Sequence, residues 1–185
     1  DIDISLFDVA LTQLTYPATW YMNAGHVTER MPRSGHPSAV PVQLVKAADG
    51  WVFIMCVTPK FWLNLCNGLN RSAWLTDERF NTPAGRHKNR AALSALLDET
   101  FETQSVAHWT DMFAGEIPIS PVLNMQQALD NPFVSAIGMI QPTPHPCDAS
   151  FRMLASPVRI NGERLPGQVC SPLGGDTDNL LHEIG

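Results

Sequence analysis

The sequence predicts an α/β fold in which short antiparallel strands mix with helices. Three observations carry this. Apolar runs at 42–45 and 51–55 flank Ala48-Asp49-Gly50, a turn signal between two extended segments, which reads as a hairpin. Apolar residues recur at helical spacing through 60–69, 89–101 and 105–113. Residues 139–160 hold short apolar runs broken by Pro, Gly and Asp, the pattern of short strands.

The elements follow in order. Ile2 and Ile4 alternate with Asp1, Asp3 and Ser5, which predicts a short opening strand. Leu6, Val9, Ala10, Gln13 and Leu14 share a helical face. Pro17 ends or kinks that helix, and Gly25 closes the segment. Residues 26–41 have three prolines, a glycine and no periodicity, so they form a linker. In the hairpin, Gly50 is available for a positive φ, and the run from Trp51 to Met55 is apolar enough for burial on both faces. Ser105 caps a helix carrying Val106, Trp109, Met112 and Phe113. A short helix opens at Asn124 or Met125, and Asn131-Pro132 starts another turn, with Pro at the first helical position. Met139 to Gln141, Phe151 to Leu154 and Val158 to Ile160 read as strands. Asp176 caps a final helix through Leu180, Leu181 and Ile184.

Composition narrows the function. The chain has 185 residues, 44% of them hydrophobic and 16% charged, which fits a folded domain and excludes disorder. Its net charge is −6 and its 12 Lys and Arg are scattered, so no nucleic-acid groove is expected. No apolar stretch approaches the ~18 residues of a membrane helix, and no secretory signal pattern is present. Cys56, Cys66, Cys147 and Cys170 are widely spaced and read as free thiols, which points to a reducing, cytoplasmic compartment. Residue 1 is Asp, and the expected mid-strand opening reads as a cut N-terminus.

Few residues announce chemistry unaided. There is no GxSxG, phosphate loop, GxGxxG or HExxH. His145 and Cys147 offer two metal ligands with no third nearby in sequence, so no metal is expected. Asp176, Thr177 and Asp178 read as a helix cap, because acidic groups repel an anionic ligand there. The stretch Ser34-Gly35-His36-Pro37-Ser38 stands out. A glycine beside a histidine in an irregular segment permits close approach to a ligand, and Pro37 restricts His36 to extended backbone. An ordinary flexible linker fits the same residues equally well.

Five stretches taken together resemble the family III CoA-transferases of the CaiB/BaiF and formyl-CoA transferase type. They are Asp3-Ile4-Ser5-Leu6-Phe7-Asp8-Val9-Ala10-Leu11; Gly35-His36-Pro37-Ser38 with Pro41, Gln43 and Ala48-Asp49-Gly50; Asp77-Glu78-Arg79-Phe80-Asn81-Thr82 with Arg86 and Asn89-Arg90; Ile119-Ser120-Pro121-Val122 with Asp130-Asn131-Pro132; and Pro172-Leu173-Gly174-Gly175-Asp176-Thr177-Asp178. Each is weak alone, but their order and spacing hold along the chain.

The resemblance implies the C-terminal portion of such an enzyme. The small α+β domain would be flanked by the trailing parts of a split Rossmann-like domain. Residues 1–41 would hold the end of the large-domain segment and a first linker, 42–130 the small domain, and 131–185 a second linker and the return segment. Two subunits would interlock as a homodimer. The resemblance also implies transfer of CoA between an acyl-CoA thioester and a carboxylic acid, through an aspartyl-CoA intermediate. Its catalytic Asp would lie upstream of residue 1, so no catalytic residue is assigned here and the chain alone is expected to be inactive. CoA would be a substrate and not a resident cofactor. Gly35, His36 and Pro37 match a loop that shields intermediates from water, and Leu6 matches a position lining the CoA site; a core leucine at a helix start fits Leu6 equally. An acyl-CoA racemase or epimerase of the same superfamily, and a non-catalytic interaction domain, are the rival readings.

Overall fold

The computed structural model describes residues 3–168 and 171–185. The chain forms two compact units, Asp1–Val122 and Leu123–Gly185, and both mix helices with small antiparallel sheets.

The first unit opens with α1 (Leu6–Thr12) and α2 (Thr15–Ala24). No strand precedes α1 among the described residues; Ile2 lies outside them. Ser5 serves instead as the cap of α1, its hydroxyl accepting from the Asp8 N–H at 3.0 Å. The short polar side chain satisfies an orphan donor there, which decides the local structure against a two-residue alternation. The helical pattern breaks at Gln13 and Leu14, so Pro17 falls in the first turn of α2, where its missing N–H costs nothing. Gly25 ends α2 with φ +63°.

A three-residue 3-10 turn, Pro32–Ser34, interrupts the linker. The sheet follows: β1 (Val42–Ala47) pairs antiparallel with β2 (Gly50–Met55), Val45 opposite Val52, and β2 pairs with β3 (Ile119–Pro121). The hairpin lies where the sequence puts it. Two details differ. Gly50 does not adopt positive φ; instead, a Cβ there would lie 3.1 Å from Val106 Cγ2, so the glycine serves close approach. And β2 is not buried on both faces: Val52 and Ile54 are fully buried, while Trp51 and Met55 are 38% and 39% exposed. Val45, Val52 and Ile54 face the helical core, while Trp51 and Met55 lie on the other face, which produces the alternation.

Those helices are α3 (Pro59–Gly68), α4 (Pro83–Lys88), α5 (Arg90–Phe101) and α6 (Val106–Met112), with a 3-10 turn at Ser72–Leu75. Thr58, Thr82 and Ser105 cap α3, α4 and α6 through side-chain oxygens. Leu65 and Cys66 of α3, Leu93, Leu97 and Phe101 of α5, Phe80 and Phe113 close over Val45, Val52 and Ile54 in a single apolar core.

The second unit holds α7 (Met125–Leu129), α8 (Pro132–Ala136), the β4–β5 pair (Ile140–Pro142, Arg152–Leu154), the β6–β7 pair (Arg159–Ile160, Glu163–Arg164) and α9 (Thr177–Ile184). Asn124 and Gln127 make a reciprocal capping box on α7. Asp176 occupies the N-cap of α9 without making the expected side-chain hydrogen bond. No helix in the described residues is long and apolar enough to cross a membrane.

Candidate functional site

The linker loop is tied down along its length. The Gly35 N–H donates to Pro32 O at 3.0 Å and the His36 N–H to Val42 O at 2.9 Å. From α5, Arg90 Nη2 donates to His36 O at 2.8 Å and Pro37 O at 3.1 Å. His87 of α4 donates from Nε2 to Pro37 O at 3.1 Å. A free tether shows no such pattern. Just before the loop, Arg33 and Ser34 both sit in the left-handed region at φ +58° and +51°. Non-glycine residues adopt it at a cost of roughly 1 kcal/mol or more each, so the surrounding contacts hold the chain there.

The ring of His36 is oriented from both sides. Its Nδ1 accepts the N–H groups of Ser38 at 3.2 Å and Ala39 at 3.1 Å. A neutral imidazole whose Nδ1 accepts carries its proton on Nε2, and Nε2 donates to Tyr16 Oη of α2 at 2.9 Å. The two rings stack with centroids 5.5 Å apart. Both nitrogens are therefore committed, Nδ1 within the loop and Nε2 to α2, and His36 reaches another acceptor only by releasing Tyr16.

Beside the loop lies an open pocket of about 390 Å³ lined by Trp20, Ala24, His26, Pro37, Ser38 and His87. Tyr16 packs on Trp20 at 4.8 Å, and the His26 ring meets Trp20 edge-on at 5.8 Å. The walls are aromatic faces and a proline ring, which suits an apolar or planar group. Leu6 lies elsewhere. It is the first residue of α1, 91% exposed, and so is not a core leucine. Thus the structure brings together Gly35, His36 and Pro37, and leaves Leu6 apart from them.

Arg90, His87 and Tyr16 are the residues the sequence did not assign to this loop. They stand 20 to 54 positions from their partners. The segment from Asp77 to Arg90 works as a clamp that presents His87 and Arg90, while Tyr16 comes from α2. The Asp77 carboxylate accepts from the Arg79 N–H and guanidinium, which holds its pKa below the usual carboxylate range. Arg86, 3% exposed, donates to Val40 O and Phe80 O and lies over the Trp62 ring at 4.6 Å. Asn89 donates to Arg79 O and Gly85 O. Burial lowers the pKa of Arg90, whose nearest partners are carbonyls and not a carboxylate.

His145 Nδ1 accepts from the Cys147 N–H at 3.2 Å, a local turn. Among the described residues no group of three or more His, Cys, Asp or Glu is placed to hold a metal ion. Cys56, Cys66 and Cys147 are free thiols; Cys170 lies outside the described residues.

A family model described as CoA-transferase family III matches residues 1–177. An acyl-CoA transferase of Fusarium pseudograminearum is 28% identical over all of this chain and 41% of that protein. Succinyl-CoA:glutarate CoA-transferase of Homo sapiens is 25% identical over 99% of this chain and 42% of that protein. The crystal structure of a CAIB/BAIF family protein from Brucella suis superposes with a TM-score of 0.75 at 26% identity, covering this whole chain and 48% of that one. The chain thus spans under half the length of these relatives.

Proposed function

Since the chain belongs to CoA-transferase family III, we propose that it is the C-terminal part of an enzyme that moves CoA between an acyl-CoA thioester and a carboxylic acid. The match along residues 1–177 carries this reading, and the tethered loop at Gly35, His36 and Pro37 supports it. In the proposed chemistry an aspartate upstream of residue 1 attacks the acyl-CoA carbonyl and expels the CoA thiolate. The thiolate then attacks the aspartyl carbonyl of the mixed anhydride and releases the first acid. The acceptor carboxylate attacks the resulting aspartyl-CoA thioester and expels the thiolate, giving a second mixed anhydride; the thiolate then attacks its acyl carbonyl, which forms the new acyl-CoA and frees the aspartate. Water entering at either stage hydrolyses the intermediate, so a loop that excludes it serves the reaction. In this reading Gly35, His36 and Pro37 form that loop, and Leu6 contacts CoA. The working enzyme is an interlocked, cytoplasmic homodimer with no resident cofactor.

Two assays test the proposal. The complete protein should exchange CoA between an acyl-CoA and a free acid, and lose this when the upstream aspartate becomes alanine. The 185-residue chain alone should not catalyse it. Deuterium uptake at the acyl α-carbon without transfer would instead assign a racemase.

A further inference from the structure

Asp or Asn precedes Gly at three places in this chain: Asp49-Gly50, Asn67-Gly68 and Asn161-Gly162. A glycine has no Cβ to crowd its own nitrogen. That nitrogen can therefore reach the preceding side chain's Cγ and close a five-membered imide. The fold guards two of these pairs and leaves the third open.

Asp49-Gly50 closes the β1–β2 hairpin. Its carboxylate accepts from the Val106 N–H at 2.7 Å, and Gly50 is paired with Ala47 in the ladder. Asn67-Gly68 ends α3, where the Gly68 N–H is bound within the helix and Gly68 packs on the Phe113 ring. Leu65 and Cys66 just before it are fully buried, so freeing this amide means opening the core.

Asn161-Gly162 is the two-residue turn between β6 and β7. Its φ values are +52° and +85°, the left-handed pair of a type I′ turn. Both residues are exposed. Among the described residues the Gly162 N–H donates to no backbone carbonyl, and nothing lies within 4 Å of where a Gly162 Cβ would sit. The ladder beside the turn has only the pairs Arg159 with Arg164 and Ile160 with Glu163. A ribbon this short has little stability of its own, so the turn opens at small cost.

We propose that Asn161 is a site of spontaneous deamidation, and that the isoaspartate formed there releases the β6–β7 hairpin. The Gly162 nitrogen loses its proton to solvent base and attacks Asn161 Cγ. An N–Cγ bond forms, the side-chain amide takes up a proton and leaves as ammonia, and a succinimide remains. Water then adds to one imide carbonyl and breaks its bond to nitrogen. Opening at Cγ gives aspartate. Opening at the main-chain carbonyl, the more electrophilic of the two beside the α-nitrogen, gives isoaspartate, whose backbone is one methylene longer. The turn sets the register that places Arg159 and Arg164 side by side. Arg159 Nη2 and Arg164 Nε both donate to Ile137 O, at 3.3 and 3.0 Å, and Arg164 Nη1 donates to Ser156 O at 3.0 Å. A longer turn shifts that register and breaks these ties to the end of α8. The site is independent of the transferase reading, because it needs only water.

The test ages the intact protein in mildly alkaline buffer made with heavy-oxygen water. Its peptides are then mapped by mass spectrometry with electron-transfer fragmentation, which separates isoaspartate from aspartate. Asn161 should convert about tenfold faster than Asn67 or more, since one amide opens locally and the other only with the core. It should take up heavy oxygen and give isoaspartate as the main product. In concentrated urea the two asparagines should convert at similar rates. Brief trypsin treatment should cut after Arg164 severalfold faster in the aged protein, and at the starting rate in freshly made Asn161→Asp, which gains the charge without the methylene. Equal conversion of Asn161 and Asn67 in the folded protein, aspartate as the main product, or unchanged cleavage after Arg164 on ageing overturns the proposal.

Discussion

At the scale of single residues, Gly35 is held by its neighbours as much as by its backbone. A Cβ there would lie 3.1 Å from both Arg90 Nη1 and Pro32 O, so a larger side chain must displace the guanidinium that anchors the loop. Gly35→Val is therefore expected to cost roughly 1–3 kcal/mol in urea unfolding. In the complete enzyme it should also raise hydrolysis relative to transfer; an unchanged unfolding midpoint and product ratio would show that the loop bears no strain. The neutral His36 ring should appear in nitrogen-15 NMR as the Nε2–H tautomer, with Tyr16→Phe shifting the Nε2 resonance because its acceptor is gone. The buried thiols supply a pH dependence. Burial, with the neighbouring Cys66, pushes Cys56 from 9.0 up to about 12, and burial pushes Cys66 to about 12 as well. A folded-state pKa raised above the unfolded value means stability is intact below about 9 and falls as pH rises toward 12. Urea midpoints at pH 8 and pH 10 should differ more for the native chain than for a variant with Cys56→Ala and Cys66→Ala; equal slopes would remove the thiols from the account.

Among elements, α5 does the most. Its Leu93, Leu97 and Phe101 fill the core under the sheet, and its first residue, Arg90, reaches the loop. Leu97→Ala should destabilise by about 2–5 kcal/mol, as for a fully buried leucine, measured by urea or thermal unfolding. At α7 the capping box makes a smaller claim: Asn124→Ala should cost about 1 kcal/mol, visible as faster amide exchange in Met125–Leu129. Most helices from 59 onward are legible in the sequence because apolar spacing agrees there with caps or N-terminal prolines; α4 is not, because its six residues, Pro83–Lys88, carry no apolar face. Of the expected opening strand, the described residues 3–5 form none, because Ser5 serves as the cap of α1. The third strand of the sheet, Ile119–Pro121, was missed as a strand because three residues carry no period. The site was half legible. Gly35, His36 and Pro37 announce themselves as a motif, whereas Tyr16, His87 and Arg90 act across long sequence separations that local patterns do not encode.

On the scale of the molecule, burial is uneven. The apolar core lies between Val40 and Ile117, while α1 and α2 bury no residue. Ile4, Leu6, Phe7 and Met22 are 75%, 91%, 71% and 73% exposed. Large apolar side chains exposed in this number are what an interface covers, which supports the proposed homodimer; the complete protein should sediment as a dimer at micromolar concentration, and a stable monomer would count against it. Limited proteolysis of the chain should cut first before residue 30 or after residue 122 and leave a resistant product spanning the core, since opening is easiest where few apolar contacts are buried. The three-stranded sheet has one more consequence. Its two outer strands are poor templates for recruiting a further strand. On β1 the outward Lys46 N–H is already taken by Asp98 Oδ1 at 3.2 Å. On β3 the outer position Pro121 has no N–H to offer, and the strand is three residues long. Edge-to-edge polymerisation, the usual hazard of an open sheet, is therefore discouraged on both flanks, and the core can remain colloidally stable even where its helices expose greasy surface.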